Sequence, residues 1–100
     1  MRVFDIKSME AFPYDQRAKN VFFSSDDFKL RIIELKPDGR MPSCEMESNV
    51  IFYMIKGEVE VTVNGVTKLV KEGECLISAP GTFSMHAKST VRMLGIQIFK

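Results

Sequence analysis

The sequence has few of the residue types on which metal and redox sites depend. Its 100 residues include one histidine, two cysteines and no tryptophan. Cys44 and Cys75 do not form a C-x-x-C pair, which excludes a zinc ribbon and a thioredoxin-like centre. Because cysteine is among the most buried residue types, we expect two buried free thiols rather than a disulfide.

Long apolar runs and charge clusters are also missing. The longest apolar run, residues 50–55, is far short of the roughly 20 residues needed to cross a membrane. Charges interrupt the N-terminus where a signal peptide would have an apolar core. With 14 basic and 13 acidic side chains the net charge is +1, and no basic stripe favours a nucleic acid. We predict a cytoplasmic protein with neither a membrane nor a nucleic-acid partner.

No segment has a convincing helical stripe, and residues 14–20 are expected to form one helical turn at most. Apolar and polar residues instead alternate with a period of two, most clearly in residues 59–63, which Asn64 and Gly65 follow as a hairpin signal. Ile32 and Ile33 break the alternation in residues 28–35, where a bulge or burial on both faces would fit. Further strands are predicted at 75–78, 82–87 and 91–99. This pattern predicts an all-β antiparallel sandwich or barrel.

Two stretches of the sequence resemble the paired motifs of the cupins, which are small jelly-roll β-barrels. The first is GRMPSCEMESNVIFYMIKG, residues 39–57, and the second is GECLISAPGTFSMHA, residues 73–87. The resemblance covers about residues 30–99. It implies one cupin domain over residues 1–100, with an N-terminal arm and first strands in 1–27 and the motif-bearing part in 28–100.

The resemblance also implies that the residues binding a divalent cation in metal-dependent cupins are replaced here. Their four positions fall on Cys44, Met46, Val50 and Ser84. An alignment shifted by one residue would instead turn Glu45 and Glu47 inward, because neighbouring residues of a strand face opposite sides. The apolar character of Met46 and Val50 favours the first register, which leaves the carboxylates in water. We expect no metal and no cofactor.

The inward-facing set then defines a predicted ligand pocket that is apolar and rich in methionine, with a few orienting polar groups. Its members are Cys44, Met46, Val50, Phe52, Met54, Ser84 and His86. The function favoured by these residues is metal-free binding of a small molecule in a sensing, carrier or other non-catalytic role, held by burial of apolar surface. Whether any reaction is catalysed is left open.

Two alternatives use His86. One is a metal-independent isomerase or epimerase-like enzyme with His86 as its base, because imidazole titrates near neutral pH. The other is a soft-metal site for copper formed by Cys44, Met46 and His86, because sulfur donors favour Cu(I).

The same alternation leaves three large apolar side chains on the outer face of the first motif: Ile51, Tyr53 and Ile55. Monomers rarely expose such a patch, so we expect a homodimer that buries it. The alternative is that the N-terminal segment, residues 3–12, folds back and covers it.

Overall fold

The computed structural model describes residues 1–99. Within this range the chain forms one 3-10 helical segment, Tyr14–Asn20, which is kinked at the non-helical residue Gln16 and extends beyond the single turn expected from the sequence. Nine strands follow: β1 Val21–Ser24, β2 Phe28–Leu35, β3 Arg40–Met46, β4 Asn49–Lys56, β5 Glu58–Val63, β6 Val66–Lys71, β7 Cys75–Ser78, β8 Gly81–Ala87 and β9 Val91–Ile98. The predicted single domain extended to Lys100, which lies outside the described residues.

The strands form two antiparallel sheets that pack face to face. One sheet has five strands in the order β1-β2-β9-β4-β7, and the other has four in the order β3-β8-β5-β6. Strands adjacent in a sheet are mostly distant in the chain, so the chain passes repeatedly between the sheets, as in a jelly roll. The predicted all-β, double-sheet fold class is confirmed.

The hydrophobic core lies between the two sheets and takes one side chain in two from each central strand. In β4 the inward positions are Val50, Phe52 and Met54, each at most 4% exposed. The ring of Phe52 meets the ring of Phe83 edge-on across the core, with centroids 6.2 Å apart. Alternation therefore places the apolar residues of both sheets in one interior, as the period of two requires.

The local signals read from the sequence correspond to observed backbone features. Asn64 and Gly65 both have positive φ angles, 50° and 85°, and connect β5 to β6 as a tight hairpin. At Ile32 and Ile33 the β2–β9 pairing continues without a shift, so β2 contains no bulge there. Ile33 packs against the core, whereas Ile32 is fully buried outside that cluster, so β2 is covered on both faces.

The N-terminal arm covers part of the outer face of the five-stranded sheet. Arg92 of β9, only 7% exposed, donates hydrogen bonds to the carbonyl oxygens of Ile6, at 2.9 Å, and Met9. Its guanidinium also pairs with Glu34 at 3.0 Å. These contacts hold the arm against the β2–β9 side of the sheet, while Tyr53 of β4 is still 40% exposed.

Within the described residues, no helix has both the length and the apolar character needed to span a membrane.

Gly57, in the connection between β4 and β5, has no room for a side chain. Its φ angle is +84°, and an added Cβ would overlap the Thr90 carbonyl and approach Ser89 Oγ to 2.8 Å. Gly65 is the matched control, because its φ is +85° and nothing lies within 4 Å of the Cβ position. We expect Gly65→Ala to lower the free energy of unfolding by about 1 kcal/mol, the cost of left-handed backbone. Gly57→Ala should cost about 3 kcal/mol or more, because the clash is added.

Urea unfolding of the two variants measures this difference. Equal losses of stability in the two variants would contradict the conclusion that the Thr90 carbonyl leaves no room for a side chain at residue 57.

Candidate functional site

A cleft opens between the two sheets on the side of the short helix. Its volume is about 270 Å³. Its apolar wall comes from β2, β3, β4 and β9 and consists of Ile33, Met41, Met46, Val50, Phe52 and Ile96. Polar groups surround this wall, and they are Tyr14, Arg17, Arg31, Cys44, Glu45 and Gln97.

A bulge in β3 sets which side chains reach the cleft. Met41 pairs with Met85 and Cys44 pairs with Phe83, so three steps along β3 oppose two steps along β8. The irregular residues are Pro42 and Ser43, and proline suits such a position because it has no N–H to donate to the ladder. The bulge lets Met41, Cys44 and Met46 all face inward although their numbers differ in parity.

The first motif of the chain therefore adopts the register with Cys44 and Met46 turned inward. Both are half-buried and pack against the core, while Glu45 and Glu47 are exposed. Four of the predicted pocket residues, Cys44, Met46, Val50 and Phe52, line the cleft. Met54 does not, because it is fully buried deeper in the core.

The predicted inward positions of Ser84 and His86 are wrong. In β8 the inner face carries Phe83, Met85 and Ala87, each at most 3% exposed, so Ser84 and His86 lie on the outer face of the four-stranded sheet. The motif position implied by the cupin resemblance places Ser84 inside. The apolar residues at 83, 85 and 87 were the sequence signal that this assignment overrode, because burial of apolar surface decides which face of a strand turns inward.

On the outer face His86 belongs to a charged network. Its Nε2 lies 3.4 Å from Asp38 Oδ1, and its Nδ1 lies 3.5 Å from Glu60 Oε1. Lys88 Nζ reaches the same Glu60 oxygen at 3.1 Å. The hydrogen bond from Lys88, with a smaller effect from His86, lowers the pKa of Glu60.

This placement removes the geometric basis of both alternatives that use His86. A copper site would need His86 to meet Cys44 and Met46, but the backbone of the four-stranded sheet separates them. An epimerase-like base would need His86 inside the cleft. The carboxylates of Asp38 and Glu60 accompany His86, but on the far side of the sheet. Residues 1–99 contain no group of three or more His, Cys, Asp or Glu side chains placed to hold a metal ion.

The predicted ligand-binding set does not include two arginines that line the cleft. Arg31 projects from β2 into it and is half-buried, with its Nη2 3.5 Å from Gln97 Oε1. Arg17 comes from the short helix, where its guanidinium lies 4.3 Å from the centroid of the Tyr14 ring. The alternation of β2 could have identified Arg31, because residues 31, 33 and 35 share a face and Leu35 is buried. Nothing in the sequence places the helix bearing Arg17 over the same opening.

The cleft also changes the acidity of its ionisable groups. Burial raises the pKa of the Cys44 thiol, and the positive charges of Arg17 and Arg31 oppose that rise. Burial also lowers the pKa of Arg31, and the neighbouring charge of Arg17 lowers it further. A guanidinium is nevertheless protonated at neutral pH. The cleft thus combines an apolar wall, a protonated thiol and two positive charges.

Several solved structures are similar to this chain, and some of them are cupins. The TT1209 protein from Thermus thermophilus matches with a TM-score of 0.81 and 22% identity over 98% of this chain and 97% of that one. A cupin superfamily protein from Desulfitobacterium hafniense matches with a TM-score of 0.74 and 15% identity, over 80% and 74% of the two chains. The cupin domain of Cnp3 from Schizosaccharomyces pombe has a TM-score of 0.71 and 23% identity, over 80% and 61%.

No family model and no curated protein sequence matches the chain. The identities to the solved structures are low, so these similarities show the fold and leave function to be argued from the site. They confirm the fold implied by the two motifs.

The two thiols differ in exposure, which corrects the expectation that both are buried. Cys75 is exposed and Cys44 is half-buried. At pH 7.5 we expect iodoacetamide to alkylate Cys75 about tenfold faster than Cys44, because only the thiolate reacts and burial keeps Cys44 protonated. Mass spectrometry of Cys44→Ser and Cys75→Ser variants assigns the two rates. Faster alkylation of Cys44 would show that the arginines outweigh burial at this thiol.

Proposed function

We propose that this chain, which has the cupin fold, binds a small molecule with an apolar body in the cleft between its sheets and acts as a sensing or carrier module. The observation that supports this most directly is the apolar wall of the 270 Å³ cleft, to which Met46, Val50 and Phe52 contribute. A concave, mostly apolar site with a few polar groups is the usual form of a small-molecule site.

The affinity in this proposal comes from removing apolar surface from water. Each Å² of apolar surface buried contributes about 25 cal/mol, so a single aromatic ring burying ~100 Å² would gain about 2.5 kcal/mol before the cost of association. Met41 and Met46 line the cleft with flexible thioethers, which adapt to ligands of different shape.

A second, larger cleft of about 460 Å³ lies between the edge strands β6 and β7. Much of its apolar wall already faces solvent, because Val66 is 61%, Leu69 is 44% and Ile77 is 74% exposed. A small ligand there would leave these side chains largely wet and gain little from burial. The smaller cleft beside Phe52 is therefore the better candidate.

The proposal includes binding without a metal ion and a cytoplasmic location. The cleft side chains offer a thiol, thioethers and one rim carboxylate, which do not form the oxygen-rich shell that hard divalent cations prefer. Cys75 is a free and exposed thiol, which suits a reducing compartment.

We also propose that a second copy of the chain covers the outer face of β4 and β7. Tyr53 is 40% exposed there, Ile51 is partly exposed, and Ile77 pairs directly with Ile51 across the strands. Ile55, the third residue of the predicted patch, lies where the pairing of β4 with β9 shifts register. The N-terminal arm is held at the β2–β9 side by Arg92, away from Ile77. A second copy provides the same apolar face in a two-fold arrangement, which matches apolar surface with apolar surface.

Ligand binding is tested with benzyl alcohol, a neutral ring with one hydroxyl group. In protein labelled with ¹³C at the methionine methyl groups, the Met41 and Met46 signals should shift on titration, because these side chains line the cleft. Met46→Trp should remove the effect on Met41, since the larger side chain fills the cleft. His86→Ala, on the outer face, serves as the control and should leave binding unchanged. Unchanged Met41 and Met46 signals up to the solubility limit of benzyl alcohol would refute the proposed site.

The dimer is tested by native mass spectrometry of untreated protein, with light scattering as a second measure of mass. We expect the mass of two chains, and Tyr53→Glu should shift the population to one chain, because it places a charge in the interface. Val66→Glu changes an exposed apolar residue of the other sheet and should leave the dimer intact. A wild-type mass equal to one chain would contradict the proposed dimer.

The same spectrum tests binding without a metal ion. A metal ion present in a one-to-one ratio with the chain would contradict it.

A further inference from the structure

The cleft contains more positive charge than its own side chains neutralise. We propose that its ligand is a small monocarboxylate with an apolar body, whose carboxylate is bound by Arg31 with the assistance of Arg17. This inference rests on the proposed function, because it specifies what kind of small molecule the cleft accepts.

Arg31 is built into the wall of the cleft. It pairs with Gly95 of β9, which in turn pairs with Phe52 of β4, so the three residues form one row across the sheet. Because Gly95 has no side chain, Arg31 and Phe52 fill the space beside it. A Cβ at Gly95 would lie 3.2 Å from Arg31 Cγ and 3.3 Å from Phe52 Cε1. The stem of Arg31 and the ring of Phe52 therefore converge over Gly95, which places a guanidinium beside an aromatic surface.

The charge of Arg31 lacks a carboxylate partner. Among residues 1–99, no Asp or Glu oxygen lies within 4.0 Å of the guanidinium nitrogens of Arg31 or Arg17. The polar partner of Arg31 is the neutral side chain of Gln97, at 3.5 Å. Arg92, buried on the opposite face of the same sheet, shows the usual arrangement, with Glu34 and two carbonyl oxygens as acceptors. A partly desolvated cation without an anion is unfavourable, and an incoming carboxylate would relieve that cost.

Arg17 provides a second positive group at the same opening. Its guanidinium lies over the Tyr14 ring, and its Nη1 donates a hydrogen bond to the Tyr14 carbonyl oxygen at 3.1 Å. Its charge adds to the lowering of the Arg31 pKa that burial causes, so the two guanidiniums are close enough to repel each other. One anion between them would turn this repulsion into two attractions.

The surroundings favour a monocarboxylate over a phosphate ester. Guanidinium groups match the planar geometry of a carboxylate with two parallel hydrogen bonds. Glu45 stands at the rim of the same cleft, and its negative charge opposes a dianion more strongly than a monoanion. The apolar wall of Met46, Val50 and Phe52 lies next to this anion site, so an acid with a ring or branched chain would satisfy both parts.

Three probes separate the two parts of the ligand: benzoate has ring and charge, benzyl alcohol has the ring alone, and acetate has the charge alone. Their dissociation constants follow from the shifts of the Met41 and Met46 methyl signals at pH 7 and low salt. We expect benzoate to bind at least about tenfold more tightly than either other probe, because charge-assisted hydrogen bonds add to burial of the ring. Added NaCl should weaken benzoate and leave benzyl alcohol unchanged.

Variants assign the preference to the proposed residues. Arg31→Met keeps the packed stem and removes the charge, so it should abolish the preference for benzoate without weakening benzyl alcohol. Arg17→Met should reduce the preference, and Glu45→Gln should increase it. Arg40→Met is the matched control, because Arg40 is an exposed arginine on the outer side of β3 and its loss should have no effect.

Failure of this inference is distinguishable from failure of the proposed function. If benzyl alcohol binds and benzoate binds no better, the cleft is a small-molecule site without an anion site. If neither benzyl alcohol nor benzoate shifts the methionine signals, the proposed function itself is refuted. A benzoate preference that survives Arg31→Met would also overturn the assignment.

Thermal unfolding gives a readout that needs no ligand. Without a bound anion, Arg31→Met should raise the midpoint of unfolding, because it removes a partly buried and unpaired charge. Arg40→Met should leave the midpoint unchanged. A lower midpoint for Arg31→Met would show that Arg31 already has a stabilising partner, which would overturn the inference.

Discussion

The extra residue in β3 is the constraint on which the cleft depends. Met41 faces the core, and strict alternation from it would turn residues 43, 45 and 47 inward and would expose Cys44 and Met46. The bulge at Pro42 and Ser43 reverses this alternation, so Cys44 and Met46 face the cleft and Glu45 stays at its rim. If Glu45 and Glu47 faced inward, the interior would be polar and would attract cations. The one extra residue in β3 therefore determines whether the cleft is apolar or acidic.

The positive charge of the cleft comes from β2 and the short helix, which carry Arg31 and Arg17. Gly95 leaves room for the stem of Arg31 beside Phe52, and the short helix brings Arg17 over the same opening. We expect such a site to lower the stability of the free protein, because a partly buried cation without an anion is poorly solvated. Natural proteins tolerate such local costs where a function depends on them, and the rest of the fold compensates. Arg92, with all its polar contacts made within the chain, shows what a purely structural arginine looks like in this sheet.

Much of the fold was predictable from local patterns. The Asn64–Gly65 hairpin, the alternating strands and the inward set of β4 all follow from chemistry within a few residues, since turns need positive φ and strands bury every second side chain. His86 shows where motif counting failed. The motif spacing predicts that His86 faces inward, but Phe83, Met85 and Ala87 occupy the inner face of β8 because they are apolar. His86 therefore lies on the outer face, beside Asp38 and Glu60. Apolar burial outweighs a motif position when the two disagree.

The sequence by itself determined the all-β class, the turns and the apolar character of Met46, Val50 and Phe52, because each depends on residues that are neighbours in the chain. Only the tertiary structure decided that Arg17 and Arg31 meet at one opening. These two arginines come from a helix and a strand whose relative placement is set by packing of the whole domain. Contacts between distant segments depend on the summed burial of many side chains, and no local pattern contains that sum.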